Sequence, residues 1–373
     1  MRLPHERHPF FHDPADQHLA ERLHAQVLEI AEEHAPTVLA RRMGELGFYQ
    51  LFSADPAQIR RYCVLRELLG YYNPTADSIF AVQGLGTFPL LFAGSPEQKL
   101  LAEQAKKGEK ISAFALTEPE AGSDVAAMQS RAHRDGAHWV LHGEKTLISN
   151  IGINQHAVFF ANAAPELGKK GISAFLLPMD APGIQRLPVP MTVEHPIGGL
   201  RLEGVRLPAD ALIGKVGDGM KIALSTLGTF RVTVGAAAVG MAQRALDDTL
   251  RRVRQRRQFG APLADKQLVQ AMLADCGTEL EAARLLVYRA AWEKVQGGRG
   301  DLQVAMGKLY ATEAAFRIID RCVQLHGGLG VTLGSSVERL AREVRPLRIY
   351  EGTSEIQKLL IAADLLKESE AAS

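Results

Sequence analysis

Apolar positions along this chain follow one period, then another, then the first again. Leu19, Leu23, Val27, Leu28 and Ala31 recur at helical spacing, and a similar rhythm runs through residues 63–69. Residues 78–92, with Gly84 and Gly86 among apolar neighbours, predict a buried helix packed closely on other elements. Gly94 suits a helix end, Ser95 an N-cap and Pro96 the first position of the next helix. The period then shortens. Residues 111–117, 129–133, 139–141, 146–149, 157–161 and 172–177 are short strand-like runs, separated by turn signals such as Asp135-Gly136 and His142-Gly143. A last strand over 200–205 stops at Pro208. From about Leu212 helical spacing returns. Val239, Ala242, Leu246, Leu250 and Val253 make one stripe, and Leu273, Cys276, Leu280, Ala283 and Val287 a second. Ala305, Leu309 and Ile318 belong to a third, while Ala236, Ala237, Ala238 and Gly240 permit close backbone approach. With the segment after Gly352 these predict a four-helix bundle. The expected division is a helical N-terminal domain over 1–112, an all-β middle over 113–211 and the bundle over 212–373.

Composition adds exclusions. A chain of 373 residues exceeds what one core usually serves. Its 46% hydrophobic and 23% charged residues are those of a globular protein, and a formal net charge of +1 gives no general attraction to nucleic acid or anionic membrane. Cys63, Cys276 and Cys322 form no short metal or redox pair. No apolar run approaches the ~20 residues of a membrane span. The first residues lack a signal peptide's apolar core, so a reduced, cytoplasmic protein is expected. His5, His8 and His12 beside Phe10 and Phe11 raise a metal site, but a surface arm is the expectation and no metal is assigned.

Five segments carry candidate chemistry, and each has an ordinary reading beside the functional one. In residues 348–357, Gly352 breaks the chain after Glu351, and Thr353 or Ser354 can cap a helix running through Ile356, Leu359 and Leu360. A carboxylate then sits on a turn just before a helix, as a functional acid or as one favoured by the macrodipole. Residues 115–124 end a strand at Thr117, and Gly122 lets backbone approach a ligand. Residues 143–150 otherwise form a plain hydrophobic strand. Residues 256–263 read as a basic helix end stopped by Gly260 and Pro262. Arg251, Arg252 and Arg254 extend that charge, but no aromatic ladder or reading motif accompanies it, which disfavours nucleic acid. Residues 324–330 hold half a dinucleotide fingerprint with no strand before it; a helix C-terminal turn is the ordinary reading.

Tyr-Glu-Gly-Thr-Ser-Glu-Ile-Gln at 350–357 resembles the C-terminal signature of the acyl-CoA dehydrogenases, FAD-dependent flavoproteins, and the other four segments follow in that family's order. The resemblance covers nearly the whole chain. It implies an α+β multidomain fold with an N-terminal α-helical domain, a β-barrel-like middle domain and a C-terminal four-helix bundle. It makes Glu351 the catalytic base. It implies that Phe114, Leu116, Thr117, Leu147, Ile148 and Ser149 line the flavin, with Ser123 between flavin and thioester. Arg256, Gln258, Phe259 and Gln267 would reach a neighbouring subunit's FAD, while Gln324, Gly327 and Gly328 hold pyrophosphate; Thr353 and Glu355 complete the cofactor set. Arg231, Tyr350 and Gly352 would contact substrate, and His326 reads as structural.

The implied reaction is dehydrogenation of an acyl-CoA to its trans-2-enoyl thioester. Glu351, its pKa raised by desolvation, takes the α-proton, and the β-hydrogen leaves as hydride to flavin N5. The carbonyl is polarised by the Glu351 backbone N–H and the FAD ribityl hydroxyl. An electron-transferring flavoprotein as acceptor and a homotetramer, a dimer of dimers, are implied as well. Three departures matter. Leu147 stands where the family commonly has Trp, Gly228 where it often has an acid, and residues 193–199 shorten a polar loop near the CoA nucleotide. They keep open a carrier-protein-bound acyl thioester as substrate and an acyl-CoA oxidase. From another class, a flavin-containing DNA-associated binding protein is favoured only by the arginine run.

Overall fold

The computed structural model describes residues 3–8, 11, 14–296 and 301–372. Helices α1 (Pro4–Arg7), α2 (Pro14–Leu28), α3 (Pro36–Glu45), α4 (Ile59–Tyr72), α5 (Pro74–Ala93) and α6 (Pro96–Lys106) come first. Strands β1 (Ser112–Ala115), β2 (Arg131–Asp135), β3 (His138–Ser149), β4 (His156–Asn162), β5 (Ile172–Pro178), β6 (Ile184–Pro188), β7 (Ile197–Pro208) and β8 (Leu212–Ile213) follow. Then come α7 (Gly219–Gln255), a hairpin of β9 (Arg257–Gln258) and β10 (Ala261–Pro262), α8 (Gln267–Val295), α9 (Asp301–His326), α10 (Ser336–Val344) and α11 (Ser354–Ala372). Helical ends around a β middle are the expected order. The structure adds α10, β6 and the hairpin. Strand β6 and the hairpin are too short to establish a period, whereas α10 buries Val337, Leu340 and Val344 at helical spacing that the sequence reading passed over.

Contacts divide the chain into two compact units, and the boundary falls inside α7 between Phe230 and Arg231. One unit comprises residues 1–31, 56–74 and 231–373; the other comprises 32–55 and 75–230.

In the first unit, α4 lies directly on α7. A Cβ on Gly70 would stand 2.4 Å from the carbonyl of Ala237, and one on Gly240 would stand 2.0 Å from that of Glu67. The small residues at 236–240 therefore serve the close approach their composition predicts. Glu67 is fully buried and accepts from Arg284 Nε (3.0 Å) and Tyr288 (2.8 Å), so the buried charge is paired. His5 and His8 are buried, with His8 Nε2 3.2 Å from Glu281, so the surface-arm expectation fails for them. Phe10 and His12 lie outside the described residues.

The second unit is built on an eight-stranded mixed sheet in the order β6-β7-β3-β2-β4-β5-β8, with β1 beside β4. Pairs β1–β4 and β2–β4 are parallel, and the remaining pairs are antiparallel. Trp139, Leu141, Phe159, Phe175, Leu200 and Leu202 fill its core. Helix α5 packs close, as Gly86 predicts: a Cβ there would meet Ser112 Cβ at 2.6 Å. Ser95 caps α6, its hydroxyl accepting from the Gln98 N–H, with Pro96 in the first turn.

Two sequence expectations need correction. The runs 139–141 and 146–149 are one strand, β3, because Gly143 takes φ +150° and lets the chain continue past Ser130, whose Oγ would be 2.2 Å from any Cβ. Helices α5 and α7 are also long and apolar enough to cross a membrane by length and composition. Their most apolar windows are 72% and 67% buried within the protein, as in core helices.

Candidate active site

Glu351 and Gly352 lie in the turn before α11, and both have left-handed backbones, with φ +53° and +93°. For glutamate that conformation costs about 1–3 kcal/mol and persists only where the surroundings impose it. Here they do. The carbonyl of Glu351 accepts from Arg231 Nε at 3.1 Å. The carbonyl of Gly352 accepts from Lys308 Nζ at 2.8 Å and Gln357 Nε2 at 2.9 Å. A single carboxylate ties the two ends of the turn, since Glu313 Oε1 accepts from Arg348 Nε (2.9 Å) and from the Ser354 hydroxyl (2.5 Å). The Thr353 hydroxyl accepts from the Ile356 N–H at 3.3 Å, which is the capping expected before α11.

The charges around this turn are coupled. Burial pushes the Lys308 ammonium down to about 8, against the opposing pull of Glu351 and the added push of Arg231. Burial also lowers Arg231, and Glu351 again opposes it. Arg231, expected at the substrate, thus holds the backbone of Glu351 itself. Glu351 and Gly352 are half-buried, Tyr350 is 37% exposed, and Glu355 is exposed at the α11 N-terminus. Lys308, Gln357 and Glu313 were not singled out from the sequence. Lys308 left one signal: a lysine three residues after Ala305 and one before Leu309, on an otherwise apolar stripe.

Elsewhere in the same unit, Arg256 and the turn after α9 meet. A cleft of about 440 Å³ is lined by Asp248, Arg251, Arg252, Gln255, Arg256, His326 and Leu329. Arg252 Nη2 donates to the carbonyl of His326 at 3.0 Å, while its buried Nε has no hydrogen-bond partner among the described residues. His326 is held at Nδ1 by the Cys322 carbonyl, and burial lowers its pKa. Gln324 closes α9, and Gly327, at φ +60°, opens the turn that includes Gly328. After α7 the chain forms a hairpin rather than the helix end read from sequence. Phe259, at φ +51°, is 95% exposed at its tip between Gln258 and Gly260, and Gln267 begins α8.

In the sheet unit, the C-terminal ends of β1 and β3 are joined by the Thr146 N–H, which donates to the Thr117 carbonyl at 3.0 Å. Strand β3 bulges there. Lys145 pairs with Leu200 and Ile148 with Gly198, so β3 carries one residue more than β7. The extra residue puts Leu147 at φ +56° and 54% exposed, and turns Ile148 inward. Residues 147–149 are therefore not the plain strand the sequence suggested. Gly199 faces the bulge, where a Cβ would stand 2.8 Å from the Lys145 carbonyl. Phe114 and Leu116 are buried, Phe114 edge-on to Phe160, while Thr117 and Ser149 are half-buried and Ser123 is exposed.

Two family models match this chain: the acyl-CoA dehydrogenase middle domain over residues 113–205 and the acyl-CoA dehydrogenase C-terminal domain over residues 217–366. The mitochondrial short-chain specific acyl-CoA dehydrogenase of Bos taurus is 38% identical over 354 residues, covering 91% of this chain and 85% of that protein. The chain belongs to the acyl-CoA dehydrogenase family. As a member of that family it is an oxidoreductase. The 3-(aryl)acrylate reductase of Clostridium sporogenes is 35% identical, over 89% of this chain and 91% of its own. Among solved structures, a glutaryl-CoA dehydrogenase from Mycobacterium smegmatis in complex with FADH2 has a TM-score of 0.87 at 28% identity, covering 96% of each chain. The acyl-CoA dehydrogenase fold thus extends through the N-terminal helices, which neither family model spans.

Proposed function

We propose that this protein dehydrogenates an acyl-CoA thioester between its α and β carbons, using FAD, with Glu351 as the base that removes the α-proton. The observation that carries the reading is the Glu351–Gly352 turn. A strained carboxylate-bearing residue is fixed through its own carbonyl and the next by Arg231, Lys308 and Gln357. Fixing a base within a narrow range of positions is what proton abstraction from carbon demands, because reacting atoms must approach at ~3–3.5 Å.

FAD fits the residues present. The cleft beside Arg256 offers guanidinium groups, including the unpartnered Arg252 Nε, to a diphosphate, and the exposed Phe259 offers an apolar face. By family resemblance these groups serve the FAD of a neighbouring copy in a tetramer. By the same resemblance Leu116, Thr117, Leu147 and Ser149 would hold the flavin ring, and the bulge at Leu147 takes backbone groups beside them out of the ladder. FAD, when bound, supplies the acceptor for the β-hydrogen. The chain's own work is to orient the thioester, hold the carboxylate at the α-carbon and keep water from the acidified C–H. An electron-transferring flavoprotein as the next acceptor and a cytoplasmic location complete the proposal.

Anaerobic titration of the FAD-loaded protein with acyl-CoAs of graded length and branching tests it. Bleaching of the flavin by at least one thioester is expected. A colourless protein that takes up no added FAD, or a loaded one that no thioester reduces, overturns the reading.

A further inference from the structure

Glu118 and Lys145 lie inside the two segments that the proposed function places against the flavin, yet that reading gives neither a role. Both are buried, at 4% and 0% exposure. Lys145 Nζ donates to Glu118 Oε1 at 2.8 Å and to the Leu116 carbonyl at 3.0 Å, and lies 5.1 Å from the centre of the Phe159 ring. Glu118 also accepts from the backbone N–H groups of Gln129 (2.5 Å) and Ser130 (3.0 Å). Three stretches of chain therefore converge on one ion pair: 116–118, 129–130 and 145–146. The Thr146 to Thr117 hydrogen bond runs beside it.

We propose that Glu118 and Lys145 are a positioning pair that sets where the ends of β1 and β3, and with them Leu116, Thr117, Leu147 and Ser149, present themselves to the cofactor. This rests on the FAD reading above. A buried ion pair is a poor way to stabilise a core, because desolvating both charges offsets their attraction and an apolar pair of similar volume is often as stable. What the pair supplies and an apolar pair does not is direction. The ammonium fixes the Leu116 carbonyl and the carboxylate fixes two amides, each within a hydrogen bond's narrow geometry. Lys145 also immediately precedes the bulge. A change in its main-chain position passes within two residues to Leu147 and within four to Ser149.

The test uses Lys145→Met, Glu118→Gln and the double variant, in which no buried charge is left alone. FAD affinity is read by quenching of flavin fluorescence on the cofactor-free protein, the environment of the ring by its visible bands, and the fold by thermal melting. Amide exchange over 116–118, 129–130 and 145–149 reads the clamp directly. Each single variant is expected to bind FAD about 10–100-fold more weakly, the worth of one or two charge-assisted hydrogen bonds. The double variant should recover thermal stability while FAD affinity stays low, the flavin bands stay shifted and the Thr146 amide exchanges faster. A double variant with parent affinity, spectrum and exchange overturns the proposal, because the pair then serves stability alone. If a single variant does not fold, the double variant decides. Exchange is measured without flavin, so unchanged protection at Thr146 rejects the clamp itself, whereas a parent that takes up no FAD rejects the function reading.

Discussion

Lys308 Nζ donates to the carbonyl of Gly352 at 2.8 Å, one residue after Glu351. The lysine is fully buried, so its ammonium sits there at the expense of hydration, and its pKa falls to about 8. Glu351, Glu313 and Glu355 pull that value up, while burial and Arg231 push it down. The same side chain therefore fixes the turn and sets part of the field at the carboxylate.

Lys308→Met should leave FAD content unchanged and slow reduction of the flavin by substrate about 10–100-fold, the cost of displacing a reacting group by about an ångström. The parent rate should also fall as pH rises through about 8, where the ammonium loses its proton, and the variant should lack that inflection. The effect on stability runs the other way. The folded value lies below the ordinary 10.5, so between the two the unfolded chain binds more protons, and this group's contribution to stability rises with pH in that window. Anaerobic stopped-flow across pH 6–10 (about four units) reads the first effect. Equal inflections in parent and variant reject the assignment.

The architecture was legible because periods change sharply, and the middle alternates in short runs. Helical spacing ends with α6 at Lys106 and returns with α7 at Gly219, a few residues past the expected Leu212, which lies in β8. What stayed hidden depends on contacts between distant residues. Lys308 stands 44 positions before Gly352, and Lys145 stands 27 after Glu118. No local pattern announces such pairs, although a lysine on an apolar stripe hints that it has a buried partner. The bulge at Leu147 was hidden for another reason. It shows only in the register across the ladder, where Gly198 and Gly199 of β7 stand opposite it.

Gly199→Ala tests whether the absence of a side chain there is what lets β3 bulge. Its Cβ would stand 2.8 Å from the Lys145 carbonyl, a backbone atom that cannot swing aside as a side chain does. The variant should lose about 1–3 kcal/mol of stability and part of its FAD together. Thermal melting with flavin content reads both. A stable, fully yellow variant shows that the bulge does not depend on this glycine.

Gly122→Ala makes the opposite case. Nothing stands within 4 Å of its added Cβ, so stability should move by no more than ~0.5 kcal/mol. If backbone at 122 approaches a ligand, the methyl should still weaken thioester or FAD binding. Unchanged affinity for both places the ligands elsewhere.

The Glu118–Lys145 pair gives the sheet unit an acid limit. Glu118 is held below the ordinary 4.5: burial raises it, but Lys145 and the N–H donors lower it more. The stability it lends is present above that ordinary value and is lost as pH falls through the folded one. Melting between pH 3 and 6 (about three units) should show a steeper acid loss in the parent than in the Glu118→Gln/Lys145→Met double variant. Parallel curves reject the linkage.

Glu351→Gln bears on the chemistry most directly. The amide is nearly isosteric, and the turn is held through the carbonyls of Glu351 and Gly352, which accept from Arg231, Lys308 and Gln357 and are unchanged by the substitution. Fold, FAD content and thioester binding should therefore persist. What disappears is the proton acceptor, and general-base contributions of ~10²–10⁴-fold set the scale of the loss. One electrostatic change accompanies it. Without the carboxylate, Lys308 loses the largest of the groups that raise its pKa, so the inflection near 8 in any residual rate should move to lower pH. Stopped-flow reduction by a thioester that turns over in the parent gives both readouts. A variant that reduces its flavin at the parent rate would show that Glu351 is not the base. A slow variant with an unmoved inflection would separate the carboxylate from Lys308 while leaving it as the base.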